Sequence, residues 1–137
     1  MKKLIFCVFV CSCLLNACSS TGKSPENAEP KVTYKKISAA GIRQMISEIT
    51  DYSVLDVRSE KEYRKRHITG AVWIPLKEVE ARVEKELPDK NQVIFVHCRY
   101  GGRSTIAAKK MVNMGYKNVY DIRRINKWPR EQIQEFK

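Results

Sequence analysis

The chain has 137 residues, 43% of them apolar, which gives room for one compact domain and a short extension but not two cores. Its formal charge of +11 admits nucleic acid, an anionic membrane surface or small anions as partners. Lys and Arg are dispersed and interleaved with Glu, as in "SEKEYRKRH" and "KEVEARVEKE", a pattern of solvated helix faces, so no nucleic-acid partner is expected.

In chain order, the opening "MKKLIFCVFVCSCLLNACSS" comes first. It has two lysines, an apolar stretch from Leu4 to Leu15 and a small residue before Cys18, the layout of a secretory leader too short for a comfortable membrane span. Its end, "LNAC", resembles the bacterial lipoprotein signal. That resemblance implies a signal peptide over residues 1–17 and a lipidated Cys18 as the mature N-terminus. It also implies a protein held by lipid on the extracytoplasmic side of a membrane of the cell envelope. Cys7, Cys11 and Cys13 leave with the leader, so Cys98 is the one cysteine of the domain and no disulfide framework forms there. Residues 18–31 carry "SSTGKSPENAEPK", polar and without apolar anchors, and read as a tether on the order of 20 Å long.

From residue 32 to 137 strand and helix signals alternate, which predicts a single α/β domain with a parallel sheet flanked by helices on both faces. "VTYKKI" reads as a short strand. Ser38 then caps a helix with Ile42, Met45, Ile46 and Ile49 on one face. "YSVLDV" is a buried strand, and Ser59 with Glu62 forms a capping box opening a short helix. "GAVWIPL" is a strand, and "KEVEARVEKEL" is an amphipathic helix presenting Val79, Val83 and Leu87. "QVIFVH" is the most apolar strand and is placed at the centre. A helix over 103–114 ends at Gly115, "KNVYDI" forms the last strand, and "WPREQIQEF" reads as a terminal helix with Pro129 in its first turn.

"HCRYGGRST" stands between the central strand and the following helix, where the carboxyl ends of parallel strands form a crevice. A thiol reacts as its thiolate, which a helix N-terminus and nearby cations favour. Cys98 has both in sequence, with Arg99 and Arg103 as the cations, in a loop expected to be partly open. Gly101 and Gly102 let successive backbone N–H groups converge into an anion-binding nest. Such a nest can hold a sulfur-bearing anion or the outer sulfur of a Cys98 persulfide.

These residues resemble a single-domain rhodanese-like sulfurtransferase. The resemblance rests on "VLDVRSEKEYRKRHITGAVWIPL", with its Asp-Val-Arg and His-Ile-x-Gly-Ala segments, and on "VIFVHCRYGGRSTIAAKKMVNMGYKNVYDI", with its Cys-Arg-x-Gly-x-Arg loop. It implies that Cys98 accepts sulfane sulfur from an anionic donor such as thiosulfate and passes it to cyanide, a thiol or a protein acceptor. Residues Arg99, Tyr100, Gly101, Gly102 and Arg103 bind donor and persulfide, and no cofactor or metal is implied. Family members carry a Gly-Gly pair before the late tryptophan, where this chain has Arg123 and Arg124. A different local backbone is therefore expected if the usual turn needs positive φ; both arginines read as exposed loop cations, the alternative being that they border the pocket and strengthen anion binding.

Asp56 and Arg58 read as an ion pair that fixes the loop after the second strand. His67 reads as structural. His97 points away from Cys98 by strand alternation and is not a general base. Trp73 and Trp128 read as core or rim aromatics, and Tyr100 as a loop-tip residue that shields the persulfide or meets the acceptor. Two other functions compete. A cysteine phosphatase or arsenate reductase sets five residues between cysteine and arginine, whereas four separate Cys98 from Arg103, a ring suited to one sulfur. A membrane-tethered, non-catalytic module of the same fold is the second. A thioredoxin-like role lacks its second cysteine.

Overall fold

The computed structural model describes residues 33–136. The leader, Cys18 and the whole tether fall outside them. In order come β1 (Lys35–Lys36), α1 (Ala39–Glu48), β2 (Tyr52–Asp56), α2 (Glu60–Lys65), β3 (Arg66–Ile68) and β4 (Val72–Trp73). Then follow α3 (Val79–Glu86), β5 (Val93–Cys98), α4 (Gly102–Asn113), β6 (Asn118–Arg124) and β7 (Ile133–Glu135). Single 3₁₀ turns lie at Leu76–Glu78, Ile125–Lys127 and Arg130–Gln132.

Local chemistry sets the helix starts. The Ser38 hydroxyl accepts from the Gly41 N–H at 3.1 Å to open α1, and Ser59 with Glu62 closes a reciprocal capping box on α2. α4 begins without a side-chain cap, because Gly101 at φ +100° turns the chain directly from strand into helix.

Five strands form a parallel sheet in the order β1-β6-β5-β2-β4, with the apolar β5 in the middle as predicted. Alternation along β5 splits the core in two. Ile94, Val96 and Cys98 meet Val79 and Val83 of α3 and Ala107 and Met111 of α4 on one face. Phe95 meets Ile42 of α1, Ile122 and Trp128 on the other. Helices thus cover both faces, and the carboxyl ends of β5, β2 and β6 open on a common rim where Cys98, Asp56 and Arg124 stand.

The C-terminal segment differs from the helix predicted for it. After one 3₁₀ turn, β7 pairs antiparallel with β3, a strand to which the sequence reading assigns no element. Thr69 N–H donates to the Gln132 carbonyl at 2.8 Å and Phe136 N–H to the Lys65 carbonyl at 2.9 Å. A nine-residue helix is marginal by itself, and pairing with β3 satisfies the same backbone groups while laying Ile133 against the core. β1 is also shorter than predicted, since two residues pair in register with β6.

Candidate active site

Cys98 ends β5 and α4 starts four residues later, so the loop between them closes on itself at Gly101. The fold brings the Gly101 N–H to 3.0 Å from Cys98 Sγ. The Ser104 hydroxyl lies 3.6 Å from Sγ and the Arg123 carbonyl 3.5 Å, and either can accept the thiol proton. Ser104 donates in turn to the Gly101 carbonyl at 3.2 Å, which locks the turn. The sulfur is therefore more enclosed than the partly open loop expected from sequence implies: Cys98 is 1% exposed. Of the amides in the loop, Gly101's is the one within reach of the sulfur.

Arg103, expected from sequence to hold the donor, is engaged by a carboxylate that the sequence reading does not pair with it. Both terminal nitrogens of Arg103 hold Glu62 of α2, at 2.7 and 2.9 Å. The same carboxylate completes the α2 capping box, accepting from the Ser59 N–H at 3.1 Å and the Ser59 hydroxyl at 2.8 Å. Arg103 first, and Ser59 after it, hold the Glu62 carboxyl down to about 2 against the opposing effect of burial. Arg103 thus ties α4 to α2 beside the sulfur. As a helix cap Glu62 is legible in the sequence, but its second partner lies 41 residues away and no local pattern points to it.

Asp56 and Arg58 form the ion pair expected of them, fully buried at the end of β2. Arg58 Nε meets both carboxylate oxygens at 2.9 and 3.0 Å and Nη2 meets Oδ2 at 2.6 Å. Nη2 also reaches the Arg66 carbonyl at 2.5 Å, so the pair fastens the loop after β2 to β3. His97 Nε2 stands 3.5 Å from Asp56 Oδ2, and neither ring nitrogen has a hydrogen-bond partner. Burial, despite the Asp56 charge, pushes the His97 ring down to about 4 and keeps it neutral. His67 is stacked between Tyr63 and Phe136 at 4.1 and 5.1 Å, and its Nδ1 lies 3.0 Å from the Tyr63 carbonyl. Trp73 Nε1 donates to the Arg58 carbonyl at 3.1 Å, and Trp128 is a core residue.

Asp121 has no place among the sequence candidates, yet it is buried and organises two sides of the loop. It accepts the Thr105 hydroxyl of α4 at 2.6 Å and the Arg123 N–H at 2.9 Å. A buried carboxylate at the carboxyl end of "NVYDI" is the signal that marks it. Just beyond, a β-bulge shifts the β5–β6 register, and Arg123 takes φ +65°, the one non-glycine among the described residues with positive φ. The arginine thus takes a left-handed backbone itself, a conformation that ordinarily favours glycine. Both Arg123 and Arg124 are exposed, as read from sequence.

A cleft of about 750 Å³ opens next to the loop, lined by Arg99, Tyr100, Arg124, Lys65 and Phe136 among others. Tyr100 is 65% exposed and carries the Arg99 guanidinium 5.0 Å above its ring. Gly102 has open space where a side chain would stand.

A family model described as a rhodanese-like domain matches residues 38–128. The chain is 39% identical over 99 residues to YrkF of Bacillus subtilis, covering 72% of this chain and 51% of that protein. It is 42% identical over 65 residues to the thiosulfate sulfurtransferase PspE of Escherichia coli, covering 47% of this chain and 62% of PspE. The chain thus spans between half and two thirds of the length of these relatives. A solved structure described as a rhodanese with anions, from E. coli, superposes with a TM-score of 0.57 at 32% identity, covering 62% of this chain and 99% of that one. With a family match over well more than half of its length and a fold shared with solved relatives, the chain belongs to the rhodanese-like family.

Proposed function

We propose that this protein is a sulfurtransferase that carries sulfane sulfur on Cys98. The observation that carries the reading is the Gly101 N–H aimed at Sγ from 3.0 Å, in a turn that opens directly into α4. A donor amide fixed at that point stabilises an anionic sulfur, either the thiolate or the persulfide that replaces it. The thiosulfate sulfurtransferase named among the relatives supports the same chemistry. With thiosulfate as donor, the Cys98 thiolate attacks the sulfane sulfur and a Cys98 S–S bond forms. The S–S bond of thiosulfate breaks, and sulfite leaves with the electron pair. A nucleophile such as cyanide or a thiolate then attacks the outer sulfur, and the Cys98 thiolate is regenerated. Arg99 at the cleft attracts the anionic donor, Tyr100 meets the acceptor at the mouth, Gly101 gives its N–H to the sulfur, and Gly102 leaves open space beside the loop. Asp56, Arg58 and His67 hold the surrounding loops. A protein acceptor fits the same chemistry.

The leader supports a location as well. Cys18 carries lipid and anchors the domain to a membrane of the cell envelope, facing away from the cytoplasm, with residues 19–31 as the tether.

Intact mass after exposure to thiosulfate tests the catalytic part. Wild type gains one sulfur on the peptide containing Cys98 and loses it to cyanide, and folded Cys98→Ser gains none. A serine variant that still turns over, or a folded wild type that never acquires sulfur, overturns the reading in favour of a binding module.

A further inference from the structure

The arginines around the sulfur divide into two sets. Arg58, Arg66 and Arg103 each face a carboxylate: Asp56 at 2.6 Å, Glu135 at 3.4 Å and Glu62 at 2.7 Å. Among the described residues no carboxylate pairs with Arg99, Arg123 or Arg124. Of these three, Arg123 is the one whose backbone touches the sulfur, through its carbonyl at 3.5 Å from Sγ. Its side chain lies against Gly101. A Cβ on Gly101 would come within 2.6 Å of Arg123 Nε and 3.3 Å of Nη2. Gly101 is also the residue whose N–H reaches Sγ, so the guanidinium covers the very peptide that donates to the sulfur. Arginine at φ +65° bears a strain that glycine would not, and Asp121 holds it there through the Arg123 N–H. Strained backbone survives where its surroundings over-determine it, and such positions cluster at functional sites.

We propose that Arg123 is a specificity-determining residue of the sulfur-transfer site, supplying, beside Arg99, an unneutralised positive charge at the Cys98 loop that selects dianionic sulfur donors. Arg103 cannot supply it, because Glu62 neutralises its charge. A dianion at the sulfur gains attraction from a full charge fixed at the neighbouring peptide, whereas a neutral reagent gains none. Because Arg123 is exposed, that attraction weakens as salt is added. The proposal rests on the sulfurtransferase reading for the site's purpose, but its test does not require turnover.

Calorimetric titration of thiosulfate into the Cys98→Ser protein measures binding without chemistry. Adding Arg123→Gln is expected to weaken binding about 10-fold, and Arg123→Lys to keep it within about threefold. Molar salt should shrink the difference. Arg123→Gly gives a control for folding, since it relieves the positive φ. It should melt no lower than its parent and still bind thiosulfate as weakly as the glutamine variant. In proteins retaining Cys98, the ratio of alkylation by anionic iodoacetate to alkylation by neutral iodoacetamide should fall on Arg123→Gln. Equal thiosulfate affinity in parent and glutamine variant, an unchanged alkylation ratio, or a parent that binds no thiosulfate each overturns the proposal. Failure of the sulfurtransferase reading would show separately, as a Cys98 that never gains sulfur whatever occupies position 123.

Discussion

Glu62 does two jobs with one carboxylate, ending α2 at its N-terminus and gripping Arg103 of α4 beside the sulfur. If Arg103 works through that grip, Arg103→Ala and Glu62→Gln should impair sulfur loading from thiosulfate alike, and the double variant should be no worse than either single one. Charged hydrogen bonds of this kind contribute about 1.5–3 kcal/mol, and the lower end applies because the two side chains are 35% and 20% exposed. A direct Arg103 contact with the donor would instead make Arg103→Ala distinctly worse, which a double-mutant cycle in loading rate would reveal. The Glu62 carboxyl lies below its ordinary 4.5, so this tie is at full strength above that pH and fades as pH falls towards 2. Cys98, its glycines and the Asp56–Arg58 pair are legible in sequence because each sits in a short contiguous motif. The Glu62–Arg103 tie and the Asp121 brace are not, since their partners meet only after α2, α4 and β6 come together.

The alternation of β5 sends Cys98 to the α4 face and leaves His97 on the opposite side, buried against Asp56. That placement has a pH consequence. Folded His97 refuses a proton until about pH 4, while in the unfolded chain the ring takes one up near 6.5. Stability is therefore complete above about pH 6.5 and falls as pH drops towards 4, because the unfolded state binds the extra proton. Between pH 6.5 and 4.5, before Glu62 contributes, urea unfolding should lose about 2 kcal/mol, one proton being worth about 1.4 kcal/mol per pH unit. His97→Phe should flatten that slope, and an unchanged slope would assign it elsewhere. Apolar runs and helical spacing make β2, β5, β6, α1, α3 and α4 legible in sequence. β3 and β7 are not, because neither has a pattern of its own. "RHI" and "IQE" become strands only by pairing with each other, and Pro129 reads equally well as a helix start or as the lead into a 3₁₀ turn.

At the scale of the whole chain, the expectation from sequence is a removed leader, a lipid on Cys18 and a domain that begins near residue 32. Several acyl chains on Cys18, each burying methylenes at roughly 0.8 kcal/mol apiece, would hold the protein firmly at a membrane. Cys18→Ser should move it to the soluble fraction of lysed cells with sulfur loading of Cys98 intact, and a variant that sediments with membranes as wild type does would refute the anchor. Both margins of the parallel sheet are short. β1 is the pair Lys35–Lys36, and β4 at the other margin is likewise two residues long. A foreign strand seeking to extend the sheet would find one or two hydrogen bonds and, on one side, two ammonium groups. The fold thus protects itself from edge-to-edge aggregation by leaving an incoming strand too little to register on.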